Sequence, residues 1–169
     1  MTGYLLLITA VGVERLVELM VSERHARWAF ARGGIEYGRS HYSVMAAVHA
    51  ALLISCLVEV AVADRPFLPW LGWPMLALVI AAEALRWWCI ATLGNQWNTR
   101  VIVVPGLPLV TTGPYRWMQH PNYLAVAVEV FALPMVHSAW VTAVVFSVAN
   151  CGLMAVRIPV EERALATVS

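Results

Sequence analysis

The sequence contains no lysine, so all eleven of its basic side chains are arginine. Charge of either sign is scarce. Only 12% of the 169 residues are charged, against about a quarter in an ordinary soluble domain. A globule of this size has too much surface for so few charges to keep it in water, which excludes a soluble enzyme and a disordered chain. The formal net charge is +1, so no bulk field draws nucleic acid. Cysteine is sparse as well. Cys56, Cys89 and Cys151 are odd in number, far apart and each inside an apolar stretch. That pattern offers no disulfide framework, metal spacing or redox pair; the thiols read as small hydrophobes. No internal repeat, dividing linker or Gly-x-Gly-x-x-Gly fingerprint is present.

What is there is apolar: 61% of the residues, with a mean hydropathy of +0.73. About 20 apolar residues cross a bilayer as a helix, and the chain divides into five such runs. The first is Gly3–Val21, continuing to about Arg32, because Gly33-Gly34 is its first stop signal. Its lack of an initial positive charge, and Glu14, Arg15 and Glu18 within it, distinguish it from a cleaved signal peptide. The second is Val44–Ala63, ended by Asp64-Arg65-Pro66. The third is Trp70–Leu93. The fourth, Pro121–Val136, is about 24 Å of helix, short for a full crossing. The fifth, Ala139–Val156, carries no charge. The expected architecture is therefore an all-α integral membrane bundle of about five transmembrane helices, forming one domain over 1–169.

Arginine placement sets an expected orientation. Segments 22–43 and 94–120 and the tail after Val156 hold eight arginines, all on one side of a five-span path; the other side holds Arg65. This predicts a multi-pass cell-membrane protein with its N-terminus outside and its C-terminus cytoplasmic. Trp70, Trp73 and Trp140 then fall at the outer interface, and Trp28, Trp97 and Trp117 at the inner one. His25, His41 and His137 read as interfacial, and Glu59 as a solvated group near the outer surface. Segment 94–120, rich in Gly and Pro, cannot lie in lipid unless protein satisfies its backbone. It is expected to fold over the cytoplasmic mouth as an ordered cap.

Ionisable residues inside the spans are costly and are functional candidates by default. Arg15 and Glu18 are one turn apart, as are Glu83 and Arg86, so each couple can pair within its helix. These groups either pin helices together or line a polar pocket. Glu129 stands alone on the fourth helix, either meeting an arginine on a neighbour or facing a cavity.

The strongest chemical signal surrounds His120. Gln119-His120-Pro121-Asn122-Tyr123 opens the fourth helix, with proline at a favourable first position. Free amides at a helix start attract carboxylate or phosphate. Tyr115 lies just upstream, and Arg157-Ile158-Pro159-Val160-Glu161-Glu162 emerges on the same side. A histidine, two tyrosines, an arginine and two glutamates then converge at one mouth, which points to a ligand site.

Gly113-Pro114-Tyr115-Arg116, His120-Pro121-Asn122-Tyr123 and Arg157-Ile158-x-x-Glu161-Glu162 together resemble the isoprenylcysteine carboxyl methyltransferase family. The likeness is closest to short bacterial members of the alkylpyrone and alkylresorcinol O-methyltransferase kind. It covers about residues 70–165, expected to be the catalytic core. The resemblance implies a multi-span methyltransferase using S-adenosyl-L-methionine. It implies a cofactor site at Leu107, Pro108, Leu109, Val110, Tyr115, His120, Pro121, Asn122, Tyr123 and Glu161. Arg157 matches the arginine that faces the methyl acceptor, with His120 or Glu162 as proton acceptor. Gln119 and Glu129 are the further candidates on the acceptor side, and no metal is implied. The family commonly has arginine where this chain has Gln119, which removes one cationic clamp for a carboxylate acceptor and leaves Arg157 for that task. The implied acceptor is an oxygen (enol, phenol or carboxylate) on a lipophilic molecule such as an alkylpyrone, alkylresorcinol or prenylated cysteine. Two other readings stay open from the residues: a nicotinamide-dependent membrane oxidoreductase of the sterol-reductase type, and a non-catalytic lipid-binding or transport module.

Overall fold

The computed structural model describes residues 2–167, without the side chains of Ser40 and His41. The chain folds as an all-α membrane bundle of five helices: α1 (Thr2–Phe30), α2 (Arg39–Val62), α3 (Pro69–Leu93), α4 (Pro121–Met135) and α5 (Trp140–Ala166). Helices α2, α3 and α5 are each long and apolar enough to cross a membrane, and α4 is a shorter apolar helix. Helix α1 is long enough, but its ionisable residues dilute the apolar run.

Local chemistry sets most helix ends. The α1 helix ends at Phe30 in a turn that Gly33 completes with a φ of +77°; the Gly34 amide then returns to the Ala29 carbonyl at 2.9 Å. Such a left-handed position favours glycine. Pro69 and Pro121 stand at the first positions of α3 and α4, where a missing N–H costs nothing. Two boundaries differ from the sequence reading. Helix α2 begins at Arg39 rather than Val44, and α5 runs through Pro159 to Ala166 rather than ending near Val156. The Arg157–Glu162 stretch is therefore helical, which places Arg157 and Glu161 one turn apart on one face.

The helices pack through small residues. Ala125, Ala132, Ala139 and Ala143 are fully buried, which lets backbones approach where lipid offers no hydrophobic drive. Tyr4, Ile8, Leu52, Cys56, Val79, Val130 and Leu133 form the apolar core at one end of the bundle. At that end Glu59 accepts from the backbone amides of Val141 (3.3 Å) and Thr142 (2.6 Å), capping α5, and pairs with Arg65 at 2.9 Å. Glu59 is thus a helix cap and not a solvated group. His137 is likewise buried, with Nδ1 on the Arg65 carbonyl at 2.9 Å. The side chain of His41 lies outside the described residues.

The intramembrane charges form one network. Arg15 of α1 binds Glu18, Glu83 of α3 (3.0 Å) and Glu129 of α4. Arg86 of α3 binds Glu18 (3.2 Å), Glu83 (3.1 Å) and Glu129. Glu14 lies at the edge, 3.7 Å from Arg15 and 3.9 Å from Arg86. Four carboxylates share two guanidiniums, and Arg86 is 1% exposed. Of the two readings open from the sequence, this is the pinning one: long charged side chains tie α1 to α3 and α4.

At the other end, two short strands pair antiparallel: β1 (Ile35–Tyr37) and β2 (Val101–Val103), with Glu36 opposite Ile102. The β-branched Val101-Ile102-Val103 run suits this pairing. The ladder ties the α1–α2 connection to the segment after α3, which folds over this end of the bundle.

Candidate active site

Under that cap lies a cavity of about 630 Å³, within the roughly 300–1,000 Å³ of small-molecule sites. Its walls mix apolar side chains (Leu93, Val103, Leu107, Leu109, Val110) with Asn98, Tyr115, Gln119, His120, Glu161 and Glu162. Trp28 and Ala29 of α1 close one side.

Local backbone places the polar groups. Thr112-Gly113 turns the cap into a short 3-10 turn, Gly113–Arg116, with φ of +56° at Gly113 and Tyr115 carried on it. Burial, and the Cys89 thiol beside it, push the Tyr115 phenol above its ordinary range, so it stays a neutral hydrogen-bonding group at neutral pH. His120 caps α4, and the Tyr123 amide returns to its carbonyl at 3.2 Å. One turn of helix then stacks the His120 and Tyr123 rings, with centroids 5.2 Å apart.

Helix α5 meets this turn. The Tyr123 hydroxyl donates to Glu161 and accepts from Arg157 Nε at 2.8 Å. His120 Nε2 lies 3.4 Å from Glu162 Oε1, and its Nδ1 lies 3.7 Å from Glu161 Oε1. Arg157 also donates through Nη2 to the Thr99 carbonyl at 2.5 Å and through Nη1 to Met45 Sδ at 3.4 Å. Three of its five N–H groups thus tether it to α2, α4 and the segment after α3.

Most of the residues singled out in the sequence converge here. Leu107, Leu109, Val110, Tyr115, Gln119, His120, Glu161 and Glu162 line the cavity. Pro108, Pro121, Asn122, Tyr123 and Arg157 are not among its walls; Tyr123 stands one hydrogen bond behind Glu161, and Arg157 two. Glu129 is elsewhere, in the ionic network with Arg15 and Arg86, and none of that network's residues borders the cavity. Trp97, expected as an interfacial anchor, is 3% exposed and packs beneath the cap against His25, which is half-buried and holds the Trp97 carbonyl at 2.9 Å. The sequence reading missed Trp28, Asn98, Arg100 and the β2 strand as walls. The polar run Asn98-Thr99-Arg100 between Trp97 and a β-branched stretch was the available signal.

The sequence model of the Isoprenylcysteine carboxyl methyltransferase (ICMT) family matches residues 75–167. The chain is 38% identical over 161 residues to the uncharacterized protein YpbQ of Bacillus subtilis, an alignment covering 95% of each. It is 27% identical over 154 residues to an uncharacterized protein of Haemophilus influenzae, covering 89% of this chain and 88% of that one. The matched half carries the cap, the α4 turn with His120 and the α5 face with Arg157 and Glu161, so this chain belongs to the isoprenylcysteine carboxyl methyltransferase family of S-adenosylmethionine-dependent membrane methyltransferases.

Proposed function

We propose that the capped cavity holds S-adenosyl-L-methionine and that the protein transfers a methyl group to an oxygen of a lipophilic acceptor. The observation that carries this is the single chain of contacts from the cavity wall to a half-buried cation: His120 and Glu161 at the wall, then Tyr123, then Arg157. The cavity suits that cofactor by chemistry as well as size. The β2 strand, Leu107, Leu109 and Val110 offer apolar walls for a flat base, while Asn98, His120 and Glu161 offer polar partners for its ribose and amino-acid ends. When bound, S-adenosylmethionine supplies a methyl carbon already activated by its sulfonium.

The protein's tasks are then orientation, exclusion of water and charge placement. The cap over residues 101–116 covers the cavity and shields it. Glu161 is held by Tyr123 and sits near His120, which suits it to the amino-acid or ribose end. A carboxylate at the methyl group would stabilise the very charge that disappears on transfer. Arg157, fixed by the Tyr123 hydroxyl and the Thr99 carbonyl, stabilises and orients an anionic acceptor oxygen. His120 is within reach of Glu162, and this couple accepts a proton where the acceptor is an enol or phenol. We assign residues 70–165 as the catalytic core of one domain, with the cavity at the cytoplasmic face and the N-terminus outside. The arginines of the cavity end support that orientation. The membrane admits a greasy tail sideways while the cofactor enters from water, which favours an alkylated enol or phenol, such as an alkylpyrone or alkylresorcinol, as acceptor.

The test is calorimetric titration of S-adenosylmethionine into the purified protein in nanodiscs, beside His120→Ala and Glu161→Ala. Saturable binding that both substitutions weaken is the expected result. Absence of binding by a folded, monodisperse sample removes the methyltransferase site. Supplying labelled cofactor with a 5-alkylresorcinol, an alkylpyrone or a farnesylated cysteine identifies the acceptor; label on the prenylcysteine alone would overturn the enol or phenol assignment.

A further inference from the structure

Helix α1 lies outside the residues that match the family, yet it holds the segment that fixes Arg157. Ser22 of α1 is 3% exposed. A hydroxyl has one hydrogen to donate and two lone pairs, and Ser22 uses all three. It donates to Asn98 Oδ1 at 2.9 Å, accepts from the Thr99 amide at 3.1 Å and lies 2.7 Å from Thr99 Oγ1. The Ser22 carbonyl accepts from Asn98 Nδ2 at 2.9 Å. One turn along, His25 Nδ1 bonds the Trp97 carbonyl at 2.9 Å. Two consecutive turns of α1 thus hold three consecutive residues, Trp97 to Thr99, by side chain and backbone alike.

The Thr99 carbonyl is the one that takes Arg157 Nη2 at 2.5 Å. That carbonyl shares a peptide plane with the Arg100 amide, which donates to Asn98 Oδ1 at 2.9 Å; Asn98 Oδ1 and the Thr99 amide and hydroxyl are all held by Ser22. We propose that Ser22 is a positioning residue for methyl transfer: it fixes the Asn98–Thr99 segment and, through the Thr99 carbonyl, the guanidinium of Arg157. This rests on the assignment of Arg157 to the acceptor. A guanidinium tethered only by Tyr123 and Met45 is free to swing about Nε, and small misplacements of a catalytic group are costly.

The experiment uses full-length protein labelled with nitrogen-15 arginine in detergent micelles. The Arg157 Nε–H resonance is assigned by its loss in Arg157→Lys. Ser22→Ala is expected to shift and broaden that resonance, while Ser22→Thr, which keeps the hydroxyl, retains it. Turnover with a 5-alkylresorcinol is expected to fall about ten- to a hundredfold in Ser22→Ala, with KM for S-adenosylmethionine changed less than about twofold and Ser22→Thr restoring most of the rate. In an Arg157→Ala background the Ser22 substitution is expected to cost nothing further, because coupled residues are not additive. An unmoved Arg157 resonance in Ser22→Ala overturns the proposal, as does a full independent rate loss on top of Arg157→Ala. If Arg157→Ala itself leaves turnover intact, the acceptor role of Arg157 fails instead, and the resonance alone decides the positioning claim.

Discussion

Arg157 Nε donates to the Tyr123 hydroxyl at 2.8 Å, and that hydroxyl in turn donates to Glu161. One phenol oxygen therefore aligns a cation on one side and an anion on the other. Hydrogen bonds to charged groups are worth about 1.5–3 kcal/mol. Tyr123→Phe keeps the ring that stacks on His120 and removes only the bridge. It is expected to lower turnover by about ten- to a hundredfold and to weaken S-adenosylmethionine binding less than Glu161→Ala does. Calorimetry and steady-state rates on the same preparation compare the two.

The ionic network is acidic in excess, with four carboxylates to two guanidiniums. Removing one partner of a buried pair costs about 3–5 kcal/mol, so Arg86→Met should strongly lower the thermal midpoint. Glu14 is the carboxylate most weakly engaged, at 3.7 and 3.9 Å from its arginines. Glu14→Gln is expected to be neutral or stabilising. Thermal unfolding in nanodiscs reads both, and a Glu14→Gln variant as damaged as Arg86→Met would contradict the picture of surplus negative charge.

Glu59 caps α5 at the end of the bundle remote from the cavity. Loss of a helix cap costs about 1 kcal/mol. Glu59→Ala should lower the thermal midpoint while leaving cofactor affinity unchanged. A matching loss of affinity would show that the two ends are coupled.

Gly113 combines a φ of +56° with close approach to α3: a Cβ there would stand 2.5 Å from Thr92 Oγ1. A non-glycine residue in such a conformation costs about 1–3 kcal/mol, and the contact would push the turn bearing Tyr115 off α3. Gly113→Ala should raise the dissociation constant for S-adenosylmethionine. The amides of residues 112–117 should exchange hydrogen faster in the variant, which distinguishes a loosened cap from global unfolding.

Long apolar runs made the five helices legible, because length and hydropathy are local properties. So was the meeting of His120 with Glu161, since the α4–α5 hairpin follows from a tight turn at His137-Ser138. What stayed hidden depends on partners distant in sequence. The β1–β2 ladder needs Glu36 and Ile102 opposite one another, and three-residue strands carry too little periodicity to announce it. Trp97 resembled an interfacial anchor because nothing local shows that α1 covers it. Glu59 resembled a surface group because the amides it caps lie on α5. Arg157 was legible as a functional residue, but its tether to Thr99, and that segment's to Ser22, required the fold.

The ionic network also bears on how the chain is made. Arg15 is synthesised long before its partners on α3 and α4: Glu83 follows 68 residues later and Glu129 follows 114 later. At roughly 5–20 residues per second, the interval is several seconds, during which α1 has only Glu14 and Glu18 for company. Each charged residue at a helix centre opposes insertion by about 2.5–3.5 kcal/mol. Helix α1, which precedes α3 and α4 in the chain, is therefore poorly able to enter lipid by itself. Its charges find their full set of partners only once α3 and α4 are present, so the network is completed well after α1 is made.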